Sequence, residues 1–185
     1  VTSILARTDG KKALWKGREI SWPLLYLMFV ALSNFWIIVA NIIAIPLAHL
    51  SIAWCSLQLP QTWFDTQKPP SKSSVSFYQK YIFIHKWKHL LPDAAPWFGG
   101  FAKATITNRD PTYLKTFICE CRRGQLSHWV QFFTICCFVL WNPWPASGVI
   151  ILYTLLSNIP CIINLHYTEI RLISLLSKKR SAATQ

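Results

Sequence analysis

Two stretches of this chain, 20–64 and 124–168, contain no Asp, Glu, Lys or Arg, and each runs for 45 residues. One crossing of a bilayer needs about 20 apolar residues. A stretch of 45 is too long for one crossing helix and matches the two arms of a hairpin. The buried core helix of a soluble protein rarely exceeds about 20 residues. The 19 basic and 7 acidic residues all fall in three zones, 1–19, 65–123 and 169–185. Charged residues make up 14% of the chain, against roughly 25% in a soluble domain, which is too little charge to face water on every side. The expected fold is all-α: a polytopic helical protein of the cell membrane, multi-pass, with about four spans in two hairpins and a basic interfacial helical segment between them.

The second stretch is the better defined. Trp129–Trp141 and Val149–Tyr167 are apolar arms, and Asn142-Pro143-Trp144-Pro145-Ala146-Ser147-Gly148 between them has the Pro, Asn and Gly of a turn. The first arm is short and draws on Leu126–His128 for length. In the first stretch Pro23–Ala40 makes a span, whereas Asn41–Leu59, interrupted by Pro46 and His49, reads as a second span or as an interfacial segment. Trp22 and Trp63 bracket that stretch as interface aromatics do.

The three zones hold 5 basic and 2 acidic, 10 and 4, and 4 and 1 residues, for a net charge of +12. The positive-inside tendency places all three on the cytoplasmic side. The same charge suits anionic headgroups or a phosphate-bearing substrate. Nucleic acid is a poor partner for this chain, because no basic-aromatic domain stands apart from the apolar stretches. Six cysteines show neither zinc-site spacing nor a disulfide framework, so free thiols are expected.

Three constellations carry chemistry. Tyr81–Leu91 has helical spacing and sets His85 and His89 at i, i+4, with Asp93 one turn on. This is either a metal-ligand pair or an interfacial helix with Trp87 among headgroups and Lys86 and Lys88 in water; Pro92 argues against a complete ligand set. Glu120 and Arg123 are i, i+3, and Glu120, Gly124 and His128 share a helix face that runs into the apolar hairpin. His128 is therefore either a water-satisfied interfacial His or a base for a headgroup-level hydroxyl. In the last span, Asn158 beside Pro160 is expected to fill the backbone gap that the proline leaves.

Arg7-Thr8-Asp9-Gly10-Lys11-Lys12-Ala13-Leu14-Trp15-Lys16-Gly17-Arg18 resembles the C-terminal tail of membrane glycosyltransferases. Residues 1–20 are thus expected to derive from a neighbouring or fused glycosyltransferase reading frame, followed by a membrane domain over 21–180 and a tail over 181–185. That domain resembles the glycosyl-4,4'-diaponeurosporenoate acyltransferases. The likeness rests on Tyr78-Gln79-Lys80, Lys86-Trp87-Lys88-His89 with Asp93, Glu120-x-x-Arg123-x-x-x-x-His128-Trp129, Asn158-x-Pro160 and Tyr167-x-x-x-Arg171-Leu172. Departures are Leu165-His166-Tyr167-Thr168-Glu169, where the family tends to have Gln-Arg-Tyr-Asn-Arg, and Gln125, where it tends to have Glu.

The resemblance implies a membrane acyltransferase that esterifies a sugar hydroxyl of a glycosylated C30 carotenoid or related glycolipid. A fatty acyl thioester would be the co-substrate, with no cofactor and no metal. His128 would act as base, with Glu120 and Arg123 orienting it or the substrate. Lys86, Trp87, Lys88, His89, Asp93, Arg122, Trp129, Asn158, Tyr167 and Arg171 would bind substrate, with Lys86, Lys88 and Arg122 on carrier phosphates. Partners would be membrane lipid, the glycolipid, the acyl donor and, through the tail, a glycosyltransferase. The alternatives are a non-catalytic membrane scaffold for a glycosyltransferase and a metal-dependent lipid-modifying enzyme that uses His85 and His89.

Overall fold

A computed structural model describes residues 34–65, 75–91, 95–103 and 106–183. The segment 1–20, residues 23–33 of the expected Pro23–Ala40 span, and Pro92 with Asp93 lie outside the described residues. All regular structure among the described residues is helical. In chain order the α-helices are α1 (Asn34–Gln58), α2 (Val75–Lys80), α3 (Ile84–Trp87), α4 (Pro111–Cys136) and α5 (Ala146–Ala183). The chain divides into two compact units, 1–42 and 43–185. Of the first, the start of α1 is described, with Ile37 buried. The second holds the rest of α1 and every other described element.

The hairpin over the second apolar stretch is present, and its arms are longer than the apolar run alone. Asp110 starts α4: its carboxylate accepts from the Thr112 N–H at 3.0 Å, and Pro111 follows at the position where a missing N–H costs nothing. The helix therefore carries Lys115, Glu120, Arg122 and Arg123 and the mainly apolar residues 129–136 on one rod, and continues as a 3₁₀ turn to Leu140. Asn142 Nδ2 then donates to the Phe138 carbonyl (2.7 Å), and Ser147 Oγ donates to the Asn142 carbonyl (2.8 Å), so the turn satisfies its own backbone. From there α5 runs antiparallel to α4.

Two clusters hold this pair together. Leu114, Phe117, Ile118 and Cys121 pack on Leu165, Leu172 and Leu176 at the charged end. At the turn end Ile135, Phe138 and Ile150 pack with Ala44 and Ile45 of α1. Between the clusters the rods approach closely at Gly124, where a Cβ would stand 2.9 Å from Leu165 Cδ1. Small residues at such crossings let helices in an apolar medium gain contact.

Two expectations change. The first stretch is not broken at Pro46: α1 runs through it as one helix, and His49 is part of that helix. Two described helices, Asn34–Gln58 and Ala146–Lys179, are long and apolar enough to cross a bilayer, so four spans are not what the described residues present. Only 6% and 22% of their apolar windows are buried, whereas a soluble core helix would be mostly buried, and this points to a membrane protein. The second change concerns Tyr81–Leu91. It is not one helix, because Phe83 takes a left-handed conformation (φ 49°) that separates α2 from α3, and Lys88–Leu90 then tighten into a 3₁₀ turn. The regular i, i+4 relation of His85 and His89 is lost at that change of helix type.

Leu172 is fully buried between the two rods. Leu172→Ala is expected to cost about 2–5 kcal/mol of stability, read as a fall in the thermal unfolding midpoint in detergent, while Leu152→Ala on the exposed side leaves the midpoint nearly unchanged.

Candidate active site

The hairpin carries two polar layers. The outer one is charged. Glu120 is 5% exposed and forms an ion pair with Arg123 one turn on, while Lys103 Nζ stands 3.8 Å from its other oxygen. Arg122 Nε donates to Glu169 of α5 at 2.7 Å, Gln125 Nε2 donates to the same carboxylate at 2.8 Å, and His166 Nδ1 is 3.7 Å away. Both arginines also reach the segment that follows α1: Arg122 Nη1 donates to the Phe64 carbonyl (2.8 Å), and Arg123 Nη2 donates to the Leu59 carbonyl (3.0 Å) with its guanidinium over the Phe64 ring. Charge-assisted bonds of this kind are stronger than neutral ones, so this layer ties α4, α5 and the end of α1 into one frame.

The inner layer is neutral. His128 Nδ1 lies 3.2 Å from Asn158 Oδ1, and Gln131 and His49 are further polar side chains near the ring. The orientation of Asn158 follows from its second contact. Its Nδ2 donates to the Thr154 carbonyl (3.1 Å) and to Ser157 Oγ (3.1 Å), and a carbonyl only accepts, so the amide oxygen must be the end facing His128. In its neutral form His128 therefore carries its proton on Nδ1 and its lone pair on Nε2. An imidazole held this way is a proton acceptor of defined direction.

The sequence-predicted residues divide accordingly. Glu120 and Arg123 pair as expected, and the side chain hydrogen-bonded to His128 is Asn158 rather than either of them. Those side chains lie one to two turns up the same rod, and the orienting group comes from α5. Asn158 is correspondingly reassigned, from filling the gap at Pro160 to holding the His128 ring. Arg122 is committed to Glu169 and to a carbonyl. Trp129 is 41% exposed and stacks on Phe133, facing away from the hairpin interior. Tyr167 is 1% exposed; Gln79 Nε2 donates to its hydroxyl (3.2 Å), its O–H lies 3.2 Å from His85 Nε2, and Arg171 covers its ring. It thereby pins α2 and α3 to α5 beside the charged layer. On that pinned segment Lys86 and His89 are exposed and Lys88 half-buried, while the Trp87 indole N–H is used internally by the Ile82 carbonyl (2.9 Å).

Residues that sequence reasoning missed are Lys103, Gln125, Glu169 and the His49–Gln131–Tyr153 set. For Gln125, His49, Gln131 and Tyr153 the available signal was a polar residue inside an apolar run, since each needs a partner there; Lys103 and Glu169 lie in the charged zones and gave no such signal. All six cysteines are free thiols. Burial pushes the Cys119 thiol up and the Cys121 thiol up strongly, which leaves little thiolate for attack on an acyl group. Among the described residues no three His, Cys, Asp or Glu side chains gather into a metal-binding set.

Glu120→Ala leaves the Arg123 guanidinium buried without its carboxylate. The expected loss is about 3–5 kcal/mol, measured by thermal unfolding in detergent; an unchanged midpoint would show the pair to be dispensable.

A family model described as glycosyl-4,4'-diaponeurosporenoate acyltransferase matches residues 60–178, which take in both polar layers. Among curated proteins, the glycosyl-4,4'-diaponeurosporenoate acyltransferase of Staphylococcus aureus strain bovine RF122 / ET3-1 is 24% identical over 152 residues, 78% of this chain and 85% of that protein. The protein of the same description from strain MRSA252 is 26% identical over 159 residues, with the same two coverages. No solved structure matches.

Proposed function

The chain belongs to the glycosyl-4,4'-diaponeurosporenoate acyltransferase family and is an acyltransferase; from that premise we propose that it esterifies a sugar hydroxyl of a glycosylated C30 carotenoid, or a related glycolipid, with a fatty acyl group drawn from a thioester. The observation that carries this reading is the lock between His128 and Asn158. A sugar hydroxyl is a poor nucleophile until its proton is taken, and His128 Nε2 is the lone pair held ready in the hairpin to take it. The hydroxyl oxygen attacks the thioester carbonyl as its proton moves to Nε2. The new C–O bond forms, the C–S bond breaks, and the thiolate leaves with the proton that Nε2 returns. Asn158 Oδ1 accepts from Nδ1 throughout and stabilises the transient imidazolium.

Dimensions support a multi-pass membrane setting. At about 1.5 Å per residue, and somewhat more in the 3₁₀ turn, the rod from Arg123 to Asn142 spans about 30 Å, one hydrocarbon thickness. In the proposed topology the α4–α5 hairpin lies in the bilayer, and the part of α1 from Ile43 on packs beside it. The charged layer lies at the cytoplasmic interface, and His128 lies about 8 Å beneath Arg123. A lipid-borne sugar enters from the membrane and the acyl donor from the water side. Lys86 and Lys88 are the proposed contacts for the donor's phosphates, since Arg122 is held by Glu169.

Expression in a host that makes the glycosylated carotenoid tests this. The wild type is expected to yield an acylated pigment by mass spectrometry, and His128→Ala to lower its rate of formation about 10²–10⁴-fold. Undiminished product from His128→Ala would refute the assignment of the base. Absence of acyl product with the folded wild type would refute the acceptor.

A further inference from the structure

One turn deeper than His128, a second polar array joins α1, α4 and α5. Gln131 is buried, and its Nε2 donates to the His49 main-chain carbonyl and to Ser127 Oγ, both at 3.4 Å. Its Oε1 is therefore the atom facing His49 Nδ1 at 3.0 Å. An amide oxygen only accepts, so His49 carries its proton on Nδ1 and its lone pair on Nε2. That lone pair is 3.2 Å from Tyr153 Oη and accepts the phenol proton. Hydroxyl, imidazole and orienting amide thus stand in the order that polarises a hydroxyl in activated sites.

The array has an open side. Tyr153 is 44% exposed, on the same outward surface as Val149, Leu152 and Leu156. Its oxygen gives its proton inward to His49 and keeps lone pairs that accept a hydrogen bond from outside. A clasp that only joined helices would be complete with His49 and Gln131, whereas Tyr153 extends it to the lipid-facing surface. Ionisable groups at membrane depth are rare and mark functional positions.

We propose that Tyr153, polarised by His49 and Gln131, is a second hydroxyl-binding site, which accepts a hydrogen bond from a hydroxyl of a membrane-embedded amphiphile. With its partner Gln131 three residues along α4 from His128, it holds one hydroxyl of a sugar while another meets the base, and so selects which position is acylated. The identity of the ligand as a glycolipid rests on the acyltransferase reading; the array itself does not.

The test is ¹⁵N-histidine NMR of the full chain in lipid nanodiscs, titrated with dodecyl β-glucoside and, separately, with its permethylated analogue. The glucoside is expected to move the His49 Nε2 resonance in the wild type and in His128→Ala. The shift is lost in Tyr153→Phe, which removes one oxygen and keeps the ring, and is absent with the permethylated probe. An unmoved His49 signal, an equal shift with the permethylated probe, or a shift that persists in Tyr153→Phe would each overturn the proposal. A glucoside shift without acyl transfer to a glycosylated lipid keeps this site and removes the proposed acceptor; transfer without the shift does the reverse.

Discussion

Asn158 has no accessible surface, and its amide has two chemically different ends to satisfy in an apolar helix pair. Thr154 takes the amino end and His128 takes the oxygen. Because water does not compete at that depth, a mismatched end would cost about 1–3 kcal/mol, and the pairing is directional. The same constraint recurs at Gln131, whose amino end is spent on a carbonyl and whose oxygen orients His49. Two amides thus set two imidazoles in the same tautomer, each with Nε2 as the accepting atom. The proposed chemistry of the hairpin depends on these amides as much as on the histidines.

The frame that presents them is set by charge. Glu120, Arg122, Arg123, Glu169 and Lys103 form a layer with little exposure, and its bonds reach α5 and the end of α1. A buried ion network is not a cheap source of stability. Its value here is registry: it fixes how far α4 slides along α5, and therefore which α5 residue faces His128. The close approach at Gly124 lies between the charged and neutral layers, so both layers are held by one short length of helix pair.

Much of this was legible in the sequence where the signal was local. The charge-free stretch 124–168, its Asn-Pro-Trp-Pro turn and the run from Glu120 to His128 predicted a hairpin with a charged rim, and that is what the rods show. The first stretch misled, because Pro46 inside α1 was read as an interruption, although a proline needs only one carbonyl to go without its helical donor. Tyr81–Leu91 misled in the opposite direction: helical spacing hid a left-handed Phe83 that no periodicity reveals. The pairing of His128 with Asn158, 30 positions apart, and of His49 with Gln131, 82 apart, left no trace in local spacing. Register between helices is set by packing and by the mutual satisfaction of polar groups. A single sequence shows which residues need partners, and it does not show which partners they find.

The proposed proton transfer turns on the His128 tautomer, and ¹⁵N NMR of the specifically labelled ring measures it directly. The wild type is expected to show a protonated Nδ1 and an unprotonated, accepting Nε2 near neutral pH, with Asn158→Leu releasing the ring into a mixture of tautomers. A wild-type ring protonated on Nε2, or one whose tautomer is indifferent to Asn158→Leu, would contradict the role of Asn158 and of Nε2 as the accepting atom.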